Sequence, residues 1–174
     1  GNLSGAQALT FTGAGNINKT TLALGAVSSV TKNGSGFFTL GVNSTGFTGG
    51  VTVNEGTFKI VGSGVQLGGT GTITVNGPSG VFLVDDTSGA ASSHTNGTRP
   101  VTLTGGSLVY SGNASGASSQ TFGTLTGNRG ATNTVTTNAG GAQTSTLTFG
   151  SLTNNGNSSL AFSGTNLGTA SNKI

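Results

Sequence analysis

Cysteine, methionine and tryptophan are absent from this 174-residue chain, and charge is scarce. Without cysteine there is neither a disulfide framework nor a thiolate metal site. Asp, Glu, Lys and Arg make up 5% of the sequence, against about 25% in an ordinary soluble domain. Solubility must therefore come from hydroxyls and amides. The only acids are Glu55, Asp85 and Asp86, too few to build a charged catalytic pocket. Lys19, Lys32, Lys59, Arg99, Arg129 and Lys173 raise the formal net charge to +3 but are scattered. A nucleic-acid surface clusters such residues on one face, so nucleic acid is not an expected partner. No apolar run approaches the roughly 20 residues that span a bilayer, and no signal peptide is visible. Apolar residues nowhere recur at helical spacing over two turns without glycine or a β-branched residue intervening, which excludes a helix.

What is present is 34 glycines, with Thr, Ser and Asn filling most of the remainder. Between them lie short β-forming runs such as ALTF (8–11), GFFTL (36–40), GVTVN (50–54), TFKIV (57–61), TITVN (72–76), VFLVDD (81–86) and SLVYSG (107–112). Glycine or asparagine turns separate them. The chain is expected to be all-β. Bulky apolar residues recur at long intervals: Leu22, Leu40 and Phe58 are 18 apart, and Leu83, Leu103, Leu125 and Leu147 are 20, 22 and 22 apart. A repeat of about 20 residues signals stacked units rather than hairpins. The expected architecture is a parallel β-helix, a three-sheet β-solenoid of about eight coils, roughly 40 Å long at about 4.8 Å per coil. Residues 1–174 read as one solenoid segment, cut from a longer repetitive chain, with its longest excursion at 87–100. A winding chain turns often, which accounts for the glycine and asparagine.

Residues 27–61 carry the most ordered punctuation. Lys32, Gly34 and Gly36 precede a strand containing Leu40; Asn43, Phe47, Gly49 and Gly50 form a turn; Val51, Val53, Gly56, Thr57 and Phe58 follow. This pattern resembles the passenger-associated transport repeat of bacterial autotransporters, also described as the autotransporter-associated β-strand repeat. LGGTGTITV (67–75) and the segment 105–126 are similar to other parts of such proteins. The resemblance implies a right-handed β-helix in an exported passenger region, placed outside the cell or on its surface. It implies a structural repeat and no catalytic residues. The expected role is a structural or adhesive rod, with contacts to host, surface or glycan. The alternative is a filament subunit that self-associates through its ends.

The candidate chemistry is sparse. Asp85 and Asp86 are adjacent on a strand, so their side chains point to opposite faces. They read as a strand end entering the 87–100 loop. His94 is the only histidine; a lone loop histidine reads as solvated and makes a poor metal site. Ser-His-Asp catalysis would need Asp85 or Asp86 to orient it, and no nucleophile-elbow motif is present. Residues 68–73 lack the aspartate of a calcium-binding nonapeptide repeat. No catalytic, metal or cofactor residue is therefore expected, and no enzyme. Glu55 is placed to pair with Lys32 or Lys59 at the surface. Thr-x-Thr pairs (10/12, 72/74, 102/104, 124/126, 132/134/136 and 144/146/148) put hydroxyls on one strand face. Stacked in register they would make an ice-binding surface. Their irregular spacing argues instead for an ordinary wet face.

Overall fold

The structure is a computed structural model that describes residues 3, 5–18, 21, 23–128 and 132–174. Leu22, Lys19 and Arg129 lie outside them. The described residues contain fourteen strands and no helix, hence no helix long and apolar enough to cross a membrane. The strands are β1 (Ala8–Phe11), β2 (Ser29–Lys32), β3 (Phe37–Leu40), β4 (Gly50–Val53), β5 (Gly56–Val61), β6 (Ile73–Asn76) and β7 (Gly80–Asp85). They continue with β8 (Val101–Thr104), β9 (Ser107–Ser111), β10 (Ser118–Gly127), β11 (Thr132–Asn138), β12 (Ser145–Asn154), β13 (Ser159–Ser163) and β14 (Asn172–Lys173).

The chain winds. Apart from β1 and β2, which pair directly, strands two apart in sequence pair in parallel, giving one sheet in the order β1-β2-β4-β6-β8-β10-β12-β14 and another in the order β3-β5-β7-β9-β11-β13. The all-β solenoid expected from the sequence is the fold. Its six-stranded sheet spans about five full turns rather than about eight coils. The third side is narrower than a sheet in the early coils, where isolated bridges such as Ser44–Leu67 and Leu67–Thr95 link it among the described residues. It widens where β10 and β12, ten residues each, serve two sides. Their register runs from Phe122–Phe149 to Thr124–Ser151, stepping over Gly123 and Gly150.

Coil length is uneven. The inward positions Leu9, Val30, Val51, Ile73, Val101, Leu125 and Leu152 stack in one column. Successive members are 21, 21, 22, 28, 24 and 27 residues apart. This overturns the leucine spacing as a register. Leu40 stacks on Ile60, while Phe58 lies between Phe38 and Phe82. Leu147 pairs with Gln120, and Leu125 with Val101. A fixed interval cannot follow coils that carry loops of different length.

Three columns hold the coils together. Phe11, Phe38, Phe58, Phe82, Phe122 and Phe149 run through the interior with successive ring centroids 4.5–6.5 Å apart, each contact adding to apolar burial. At one corner Asn54 Nδ2 donates to Asn33 Oδ1 and Asn76 Nδ2 to Asn54 Oδ1, both at 2.8 Å. Thr104 takes the next position; it accepts from Asn128, which in turn accepts from Asn155. The third column lies on the outside of the eight-stranded sheet. Thr10, Thr31, Thr52, Thr74, Thr102, Thr126 and Thr153 are direct partners across seven strands. The expectation that threonines lack register is therefore wrong for this face. Loop length absorbs the irregularity along the chain, and strand pairing restores the order.

Candidate functional site

The residues of the passenger-like motif form two corners of successive coils. Lys32 ends β2 and is buried, its Nζ donating to the carbonyls of Asn33, Gly34 and, at 3.4 Å, Glu55. Glycine is required opposite it. Gly56 has φ +70°, and a Cβ there would lie 2.2 Å from Gly36 O and 2.4 Å from Gly34 O. Burial lowers the Lys32 pKa despite the opposing charge of Glu55. Lys32 thus meets the Glu55 backbone, and Lys59 pairs with Asp85 instead, at 2.5 Å. Leu40, Val51, Val53 and Phe58 are core residues, and Asn43 is exposed.

At the second corner Arg99 leaves the long excursion and runs into the interior. Its guanidinium donates to the carbonyls of Gly49 (2.9 Å), Gly71 and Gly68, joining three coils. It also sits 5.5 Å from the centre of the buried Phe47 ring. No carboxylate pairs with it among the described residues, and Nε has no hydrogen-bond partner. Burial lowers its pKa to about 10. A Cβ at Gly49 would stand 2.0 Å from Ser28 O. Gly49 thus lets two coils approach while its carbonyl receives the cation.

The third cluster was not foreseen. His94 is fully buried, not solvated. Ser93 precedes it with φ +75°, a left-handed conformation that turns the chain and carries the ring inward. Asp86 is equally buried, and its Oδ1 lies 2.5 Å from His94 Nε2. The other ring nitrogen, Nδ1, lies 2.6 Å from Val65 O. A carbonyl only accepts, so Nδ1 carries a proton; opposite an ionised Asp86, Nε2 donates as well and the ring is then an imidazolium. Burial alone favours the neutral ring. The Asp86 hydrogen bond and charge outweigh it and hold the pKa above 6.5. Tyr110 donates to Asp86 Oδ2 at 3.0 Å; burial first, then Asp86, raises its pKa. Gln120 Oε1 accepts from the His94 backbone N at 2.7 Å, and Asn113 Nδ2 donates to Asp86 O.

The aspartates diverge as strand geometry requires. Asp86 enters the core, while Asp85 stays on the outer face with Lys59 and Thr87. Burial would raise the Asp85 pKa, but hydrogen bonds from Lys59 and Thr87 and the Lys59 charge lower it overall. The Asp86–His94 contact has the look of a catalytic dyad, yet each ring nitrogen is already committed and no solvent reaches the pair. Arg99 is spent on carbonyls elsewhere. No three His, Cys, Asp or Glu side chains gather to hold a metal among the described residues. The arrangement fastens the excursion at 87–100 onto the coils below and above it. The only sequence sign of this cluster was the isolation of one histidine near one acidic pair. No protein-family model, curated protein or solved structure matches this chain.

Proposed function

We propose that this chain is a segment of an extracellular structural rod, displayed on or secreted from a bacterial surface, and that it is not an enzyme. The observation that carries the reading is the use made of its reactive side chains. Lys32, Arg99, Asp86 and His94 all tie coil to coil in the interior. Chemistry that an enzyme would expose is consumed by the scaffold. The Lys32-Gly34-Gly36 corner supports the passenger-like context, because these residues act together as a stacking device. Antibody labelling of intact source cells tests the reading. Signal before permeabilisation, with a protease-resistant core left after surface digestion, is expected. Signal only after permeabilisation would sink it.

A specific observation favours a second reading, a filament subunit. The last coil leaves Leu152 56%, Phe162 40% and Ile174 43% exposed around one end of the solenoid. The second half of β12 and all of β13 have one unpaired edge. A second copy stacked there would bury these side chains and complete the ladders. Electron microscopy at rising protein concentration decides this. Lengthening rods support it, and single short rods at every concentration dispose of it.

A further inference from the structure

The outward side of the eight-stranded sheet is a grid. Its central column is the run of seven threonines from Thr10 to Thr153, all wholly or partly exposed. With about 4.8 Å between strands, the column is about 29 Å long. Two residues further along each strand stands the asparagine column of Asn33, Asn54, Asn76, Asn128 and Asn155, with Thr12 and Thr104 completing it. Two residues earlier stand small side chains such as Ala8, Ser29, Thr124 and Ser151. Columns two residues apart are separated by about 6.6 Å. The bulky or charged members of these strands, Phe11 and Lys32, face the interior. Among the described residues of β1 to β12, the three columns therefore present methyls, hydroxyls and amides, with neither charge nor aromatic ring; the exposed Lys173 of β14 pairs with Thr146, on the other half of β12.

A ligand that recognises such a surface must itself repeat in two dimensions and carry no net charge. Nucleic acid and anionic lipid need clustered cations. A protein partner needs an apolar or aromatic anchor. A crystalline polysaccharide is gripped by aromatic rings stacked on sugar faces. The oxygen lattice of hexagonal ice needs none of these. Its repeats on a prism plane lie close to the strand spacing in one direction and to the column spacing in the other. Threonine suits this task because its β-branched side chain is stiff at χ1. The stacked backbone fixes hydroxyl and methyl positions before contact, so little ordering remains to be done on binding. The asparagine amides bond to one another along their row, which holds that column in place as well. We propose that the threonine face of this solenoid binds ice.

Thermal hysteresis and inhibition of ice recrystallisation by the purified chain test this, and neither depends on where the rod works in the cell. The folded protein is expected to show both at micromolar to millimolar concentration. Thr52→Tyr and Thr74→Tyr, at the middle of the column, should each lose most of the hysteresis while keeping the far-ultraviolet circular dichroism. Thr134→Tyr, outward on the other sheet, should keep it. Should tyrosine disturb folding, Thr52→Lys and Thr126→Lys place a hydrated charge on the same face and should abolish activity likewise. Folded wild-type protein without hysteresis or recrystallisation inhibition would overturn the proposal. So would equal losses in Thr74→Tyr and Thr134→Tyr, or co-sedimentation with chitin or cellulose in the absence of any effect on ice.

Discussion

From β3 to β7 the interior of the solenoid is mostly Phe, Leu, Ile and Val; from β9 onward it is increasingly polar. Leu40, Ile60 and Val84 stack in one column, and the next two members of that column are Tyr110 and Thr137. Asn113, Gln120, Asn133, Ser145 and Asn172 are buried in the later coils. The two halves are held by different forces. Burial is non-directional, so the first half tolerates any filling of the right shape. The second half depends on amides that each serve several coils. Asn133 accepts from Gly105 N and donates to Asn128 O and Ser159 O. Asn172 donates to Thr137 O and Thr165 O and accepts from Thr137 Oγ1. A polar coil is stable in a solenoid when its neighbours supply the missing partners, and a change of one partner strands the others.

Substitutions and a change of pH test this contrast. The largest effects come from one deletion in each half. Phe58→Ala opens a cavity in the phenylalanine column and should cost about 3–5 kcal/mol. Asp86→Ala leaves the His94 imidazolium without a counter-charge and should cost about 3–5 kcal/mol as well. The causes separate in a second step. Asp86→Leu with His94→Leu should recover most of the second loss, since a buried ion pair replaced whole is often neutral. Urea unfolding followed by circular dichroism measures all three, and a double variant no better than Asp86→Ala would refute the pair as the cause.

Arg99→Ala is next. It strands the carbonyls of Gly49, Gly68 and Gly71 and should cost about 1–3 kcal/mol. Arg99→Met keeps the packing against Phe47 and removes an unpaired buried charge, so its loss in thermal unfolding should be smaller. A Met variant worse than the Ala variant would break the argument.

The pH dependence divides the halves without mutation. The folded pKa of His94 is raised above 6.5. Its contribution is therefore complete below 6.5 and is lost as pH rises through the folded value. Asp85 has the opposite sign: its pKa is lowered below 3.8, so its contribution is present above 3.8 and fades as pH falls through the folded value. Amide hydrogen exchange at 93–95 and 119–120 should accelerate with rising pH beyond the chemical rate. Residues 58–60 should follow the chemical rate alone. Uniform acceleration would erase the distinction. The smallest effect belongs to Lys59→Ala, whose pair with Asp85 lies on the outer face and should be worth under about 1 kcal/mol by thermal unfolding.

The apolar half was legible in the sequence because GVTV, TFKI and VFLV alternate as half-buried strands do. The Lys32 and Gly49 corners were legible as punctuation, though not as cation-to-carbonyl contacts. The polar half was not legible. In TNTVTTN the buried Asn133 and Thr137 look no different from the half-buried, outward threonines between them, because burial here is decided by partners up to 35 residues away. His94 was hidden by its polar loop, since only the left-handed turn at Ser93 carries it inward. The threonine register was obscured by coil lengths that run from 21 to 28 residues, a variation that strand pairing cancels and the linear chain displays.

The stacking of one coil on the next also sets how this molecule bears load. Its ladder hydrogen bonds run along the solenoid axis, so tension between the two ends pulls each rung open in turn rather than shearing many at once. The work of extension is divided coil by coil, and Arg99, which grips three coils, marks a rung where the force would climb. Under pull the rod behaves as a ratcheted tether that yields in increments, not as a bar that snaps.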